Sequence, residues 1–262
     1  MLFAIVIVSI SCIIFKRTYK VFMRNTNSTE QLQKTFNAMH NDCENIEPYI
    51  ITQLPKDFGK YPINKRKKLF IKILLPIALS VNKQLKAENT LLISINKKIK
   101  MDKTLSRSEY LFLEKEKKNY KTNNVCQLIK RANTVPVSLM LAQAAAESGW
   151  GSSKFAIYYN NIYGIHRKHQ DAEKPIVMIY KNLKDATWSY VMNLNTNAAY
   201  KDFRDTRYKM GKKQDPYALA GYLNMYSVKR SRYITIIQNI ISANGLREYD
   251  NCRLSVRKVD YK

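Results

Sequence analysis

A single carboxylate, Glu147, stands in the whole stretch between Glu116 and Asp171. It ends a segment, Val137 to Ala146, that is built from strong helix formers and carries no charge. Pro136 sits where a first-turn proline belongs, and Gly149 and Gly151 stop the helix just beyond the acid. An apolar helix that ends in one acid beside a tryptophan, in a basic chain, constrains the fold strongly. Burial against apolar surface raises a carboxyl pKa, whereas neighbouring cations lower it. Where burial prevails, such a group keeps its proton near neutral pH and can give it to a glycosidic oxygen. The alternative is a carboxylate that neutralises lysines or accepts from backbone amides.

The pattern on either side is mostly helical. Leu69, Ile73, Ile77 and Val81 recur every four residues, with Leu74 and Leu85 widening the face. Pro76 is expected to kink or divide this helix, and a second apolar stretch, Leu91 to Ile99, runs into Lys97, Lys98, Lys100 and Lys103. Leu111 to Tyr120 reads as a charged helix face. Beyond Glu147, Ile176 to Tyr180 suits a short strand, and Asn182 with Asp185 forms a capping pattern for a helix through Leu194. Asp215 and Pro216 open another helix, through about Leu223. Tyr233, Ile236, Ile237, Ile240 and Ile241 share a last helical face that Gly245 closes. Six of the seven glycines fall at or after Gly149, so the turns of the functional region belong to the C-terminal half.

The expected organisation follows from these shifts: a signal peptide or membrane anchor at 1–15, a polar linker at 16–53, a helical extension at 54–120, the main domain at 121–249 and a tail at 250–262. The apolar run from Met1 to Phe15 is shorter than the ~20 residues that span a bilayer. Its only flanking charges, Lys16, Arg17, Lys20 and Arg24, lie on the C-terminal side. By the positive-inside rule that arrangement would keep the body cytoplasmic, so placement in the periplasm or envelope rests on the substrate instead. Four separated cysteines, Cys12, Cys43, Cys126 and Cys252, form no C-x-x-C pair, which removes the usual zinc and redox motifs. One disulfide among the last three fits an oxidising compartment, with its partners open. His166 and His169 lack a third ligand nearby, so no metal site and no cofactor are expected.

Lys and Arg number 45 against 20 Asp and Glu, a net charge of +25. Such a field draws a protein toward polyanions, whether nucleic acid, anionic membrane or anionic wall. No helix-turn-helix, zinc or aromatic-platform signature supports a specific nucleic-acid partner.

Several ordered blocks resemble one enzyme family. Val135-Pro136-Val137-Ser138-Leu139-Met140-Leu141-Ala142-Gln143-Ala144-Ala145-Ala146-Glu147-Ser148-Gly149-Trp150-Gly151 is similar to the signature of the glycoside hydrolase family 73 glucosaminidases, and within them to the Bax-like subgroup. Asn160-Asn161-Ile162-Tyr163-Gly164 resembles the stretch that follows there. Tyr190 to Thr196 with Tyr200, Ala218 to Gly221, and Tyr226-Ser227 running on to Tyr233 resemble the later blocks. The resemblance implies a mainly helical, lysozyme-like α+β domain with a small β-lobe. It implies a cleft for β-1,4-linked amino sugars, cleaved as an endo-β-N-acetylglucosaminidase with no amidase activity. Glu147 would be the general acid and Tyr226 would lie near the reacting sugar. Asn161, Trp150, Tyr163 and Tyr233 form the implied binding set, with Asn161 either bracing the loop or touching substrate and Trp150 packing beneath the acid. A second carboxylate, where such enzymes have one, lies on the β-lobe, where Asp171 and Glu173 are the candidates; otherwise the substrate's own acetamido oxygen assists. Ile165-His166-Arg167 departs from the subgroup's Gln-Trp pair on one cleft wall. The partners implied are peptidoglycan glycan strands and an anionic envelope surface. A muramidase or lytic transglycosylase of the same fold, or a wall-binding protein without turnover, are the alternatives.

Overall fold

Helix α5, Val137–Ser148, runs through the interior with nine of its first residues from Val137 to Ala145 all buried. A helix apolar on every side is stable only when other elements surround it, and here they do. The structure, a computed structural model, describes residues 22–23, 28–37, 42–167, 176–228 and 230–255. Among these no helix is long and apolar enough to cross a membrane; the apolar segment 1–15 lies outside them.

The sleeve around α5 comes from both halves of the chain. Helix α2, Ile63–Lys100, packs against α4 (Val125–Arg131), α5 and α7 (Leu183–Thr196). Helix α10, Arg230–Ala243, and a terminal 3-10 segment, Leu246–Asn251, cover the other side. Helices α3 (Arg107–Asn119), α6 (Lys154–Tyr159), α8 (Lys201–Met210) and α9 (Pro216–Ala220) complete the shell. A two-stranded antiparallel lobe, β3 (His166–Arg167) with β4 (Ile176–Val177), pairs His166 with Val177 and Arg167 with Ile176. This is the mainly helical domain with a small β-lobe that the sequence leads one to expect.

Three expectations need correction. Of the two outcomes expected at Pro76, division does not occur: one helix of 38 residues includes both the proline and the later apolar stretch. Its missing N–H costs roughly 3 kcal/mol, but Ile73, Leu74, Ile77 and Val81 are buried on both sides of it, and each such burial is worth about 1.5–3 kcal/mol.

The region 16–53 is not a bare linker. It holds α1, Thr29–Asn37, and strand β2 (Tyr49–Ile50), which pairs in parallel with β1 (Phe22–Met23). Leu32, Ile46 and Ile51 enter the core, and buried Thr29 gives its hydroxyl to Asp57 at 2.7 Å. The tail from 250 is likewise engaged. Cys252 is bonded to Cys43, Leu254 bridges to Ile46, and the Ile46 amide donates to the Arg253 carbonyl at 2.9 Å. Cys126 is free and exposed.

Candidate active site

Helix α5 is fixed at both ends by groups outside it. Pro136 has no N–H, and no side chain of its own caps the helix. The carboxylate of Asp250 reaches in instead, accepting from the Ser138 amide at 2.8 Å and the Ser138 hydroxyl at 2.7 Å. An acid on the first free amides of a helix satisfies orphan donors and complements the helix dipole. Burial nonetheless pushes the Asp250 carboxyl up, with the Ser138 bonds pulling against it.

At the other end Gly149 turns left-handed (φ 58°) and its N–H returns to the Ala145 carbonyl. Trp150 shares that left-handed backbone (φ 57°), uncommon for a bulky residue. Its ring meets Phe70 of α2 edge-on at 5.9 Å, with the Lys67 ammonium 5.1 Å above it. At 9% exposure the indole is held by the core. Gly151 closes the turn where a Cβ would meet Leu54 and Phe58 at 2.9 Å and Phe70 at 3.0 Å. The Gly-Trp-Gly sequence thus locks the end of the acid's helix onto α2.

Glu147 is half-buried. Gly164 comes so close, at φ 62°, that a Cβ there would stand 3.0 Å from Oε2 of Glu147. Tyr233 of α10, 3% exposed, hydrogen-bonds to the Glu147 carboxylate; burial first, and then that charge, push its phenol well up. Tyr200 also feels Glu147, and burial with that charge pushes it up to about 12. These two belong to a cluster of five tyrosines. Tyr163 stacks on Tyr190 at 4.1 Å, Tyr190 meets Tyr226 edge-on at 6.1 Å, and Tyr226 stacks on Tyr233 at 5.6 Å while lying 6.2 Å from Tyr200. The Tyr226 hydroxyl donates to the Tyr163 carbonyl at 2.8 Å. It therefore holds the backbone next to Gly164, and through it the wall against which the acid rests. Tyr163 itself is 2% exposed and buried in the stack.

The loop after α6 is braced by two asparagines. Asn160, left-handed at φ 52°, donates to the Tyr180 carbonyl at 3.0 Å. Asn161 accepts from the Ile165 amide at 3.0 Å and donates to the carbonyls of Ile165 (2.8 Å) and Met178 (3.0 Å). All its polar capacity but one lone pair goes to bonds that tie together the two residues flanking the lobe's strands, so it braces the loop. His166 is exposed, its Nδ1 2.7 Å from the Gly164 carbonyl. His169, Asp171 and Glu173 lie outside the described residues. Among the described residues no group of three His, Cys, Asp or Glu side chains could hold a metal.

A separate cleft lies elsewhere among the described residues. About 1010 Å³ opens between α2 and the Cys43–Cys252 pair, with Lys67, Lys68 and Lys72 facing Glu47 and Glu248. Its charges nearly balance.

Glu147 thus lies beside the tyrosine cluster that holds Tyr226, Tyr233 and Tyr163, while Trp150 packs on α2 and Asn161 braces the loop. Sequence reasoning passed over Gln143, Tyr190, Gly164 and Asp250 as working parts of this site. The signal available for Gln143 was a carboxamide in an otherwise apolar helix.

The profile of the family described as Glucosaminidase, mannosyl-glycoprotein endo-beta-N-acetylglucosaminidase, matches residues 123–246. Protein bax of Escherichia coli (strain K12) is 32% identical, over 68% of this chain and 69% of its own length. Among solved structures, the catalytic domain of the autolysin Auto from Listeria monocytogenes aligns with 86% of this chain and 99% of its own, at 15% identity and a TM-score of 0.41.

Proposed function

The chain belongs to the glucosaminidase family and is a glycoside hydrolase, and from that premise we propose that it cleaves the β-1,4 bonds of peptidoglycan glycan strands as an endo-β-N-acetylglucosaminidase, with Glu147 as general acid. The observation that carries this is the setting of Glu147. One half-buried carboxylate closes a buried helix, pressed between Gly164 and the Tyr233 hydroxyl.

In the reaction Glu147 gives its proton to the oxygen that links N-acetylglucosamine to the next sugar, so the leaving group departs as a neutral alcohol. Water attacks C1 as the oxocarbenium character develops, either directly, losing its proton to a second carboxylate, or after the acetamido oxygen of the same sugar has bonded to C1. In the second case water opens that ring and returns a proton to Glu147. Asp171 and Glu173, between β3 and β4 in sequence, are the proposed sources of a second carboxylate. Tyr226 supports the loop beside the acid through the Tyr163 carbonyl and is placed near the reacting sugar in this reading. The net charge of +25 would hold the enzyme against anionic wall or membrane components. The Cys43–Cys252 pair suits an oxidising compartment such as the periplasm or cell surface.

The test is digestion of purified sacculi by the parent and by Glu147→Gln, with new reducing ends labelled by borohydride. New N-acetylglucosamine ends from the parent and none from a folded mutant are expected. New muramic ends would assign the enzyme to the muramidases; anhydro ends would assign it to the lytic transglycosylases. Sacculus binding by both proteins without any release would make it a wall-binding protein and end the present reading.

A further inference from the structure

We infer that Gln143 is a positioning residue for Glu147, acting through Tyr233, in a hydrogen-bonded chain that runs from Tyr190 to Gln143 to Tyr233 to the acid. The inference rests on Glu147 being the acid proposed above.

Gln143 precedes Glu147 by one helical turn, so both side chains leave the same face of α5. Gln143 is 0% exposed, and a buried carboxamide is costly unless its groups are bonded. Both ends of this one are. The Tyr190 hydroxyl is 2.5 Å from Oε1, and Nε2 donates to the Tyr233 hydroxyl at 3.0 Å. The shorter contact belongs to the O–H donor and the longer to the N–H donor, as each type of bond prefers, which fixes which end of the amide is which.

The direction of the chain then follows from proton count. Nε2 can only donate, so Tyr233 must accept from it. Tyr233 has one proton left, and Glu147 is the acceptor it meets, consistent with the upward push on the phenol from the Glu147 charge and hydrogen bond. Tyr190, buried and stacked on Tyr163, spends its only proton on Oε1. No hydroxyl in the chain is free to turn round. Without Gln143, Tyr233 could rotate its proton away from the carboxylate. With it, the donor stays aimed at one face of Glu147 while Gly164 closes another. The acid is thereby held in a single orientation for the leaving oxygen. An apolar side chain would fill this core position without any desolvation penalty, so the carboxamide is placed for orientation and not for packing.

The experiment uses the full chain and glycan strands freed of stem peptides, and compares Gln143→Met, Tyr233→Phe, the double variant and Glu147→Gln. Methionine keeps the volume and removes both bonds. Gln143→Met should lower kcat roughly tenfold, the loss of about one charge-assisted hydrogen bond, with KM little changed. It should also move the alkaline limb of the kcat/KM profile to higher pH, because a donor to the carboxylate favours the ionised form. Tyr233→Phe should move the same limb in the same direction. The double variant should move it no further, since two residues in one chain are not additive. A Gln143→Met protein with an unmoved limb, or shifts that add in full, would overturn the inference. Should Gln143→Met fail to fold, the cycle of Tyr190→Phe with Tyr233→Phe replaces it: coupled shifts support the chain, additive ones overturn it. An active Glu147→Gln enzyme would instead remove the reading on which the chain rests, whatever Gln143 does.

Discussion

The distance between Gly164 and Glu147 decides what the site tolerates at the scale of one residue. An added Cβ would stand 3.0 Å from the acid's Oε2, on a backbone at φ 62° that side chains rarely adopt. Gly164→Ala should therefore displace the carboxylate before it disrupts the core. We predict at least a tenfold loss of turnover, corresponding to about 1.4 kcal/mol at the transition state, with a stability loss near 1 kcal/mol. Parallel kinetics and thermal unfolding would show it; a fall in melting temperature with turnover intact would contradict it. Glu147 stands out in the sequence because no other acid competes with it over that stretch. The roles of its neighbours were less legible. Gln143 meets Tyr190 across 47 positions and Tyr233 across 90, and no local pattern encodes such pairings. Trp150 was expected to pack rather than stack on sugar, and the partner its ring meets, Phe70, lies 80 positions away on α2.

Among the elements, α5 depends on a cap drawn from the far end of the chain. Pro136 cannot cap it, and Asp250, 112 positions beyond the Ser138 amide it binds, does. Asp250→Ala should cost about 1–2 kcal/mol, the range for loss of a helix cap, and Asp250→Asn less, since the amide oxygen can still accept. Chemical denaturation of the three proteins would order them parent, Asn, Ala; an Ala variant as stable as the parent would mean that Ser138 finds another acceptor. The helices with strong periodicity or paired caps, α5, α7 and α10, were readable, and Asn182 caps α7 through the Asp185 amide at 2.8 Å as its spacing suggests. What escaped was set by tertiary contact. Helix α1 has only nine residues and is mostly polar, so a buried Leu32 leaves no periodic trace in the sequence. Pro76 marked a break by local rules, and burial on both flanks overrode it.

At the scale of the whole molecule the two ends of the described chain are joined, and the join lies close to the cap. Cys43 and Cys252 are bonded across a separation of 209 residues, with Cα atoms 4.4 Å apart. A loop of that length corresponds to about 5 kcal/mol of lost unfolded-state entropy in the chain model, although measured values run nearer 2–4 kcal/mol. Here the smaller figure is expected. The Arg253 amide donates to Cys43 at 2.8 Å, the Ser255 amide donates to Ile46 at 2.8 Å, and buried Ile46 anchors the strand, so the ends stay in contact when the sulfur bond is broken. At roughly 2–4 °C per kcal/mol for a domain of this size, reductant should lower the melting temperature of the parent by about 5–10 °C. It should leave Cys43→Ser, already lowered, unchanged. Because Asp250 lies two positions before Cys252, freeing the end of the chain should also loosen the cap on α5. Asp250→Ala should then cost less in the Cys43→Ser background than in the parent, the non-additivity expected of neighbouring sites. A parent indifferent to reductant would mean that the backbone ladder alone holds the ends. Full additivity would mean that α5 keeps its cap however the termini move, and that the acid's helix is insulated from the redox state of the chain.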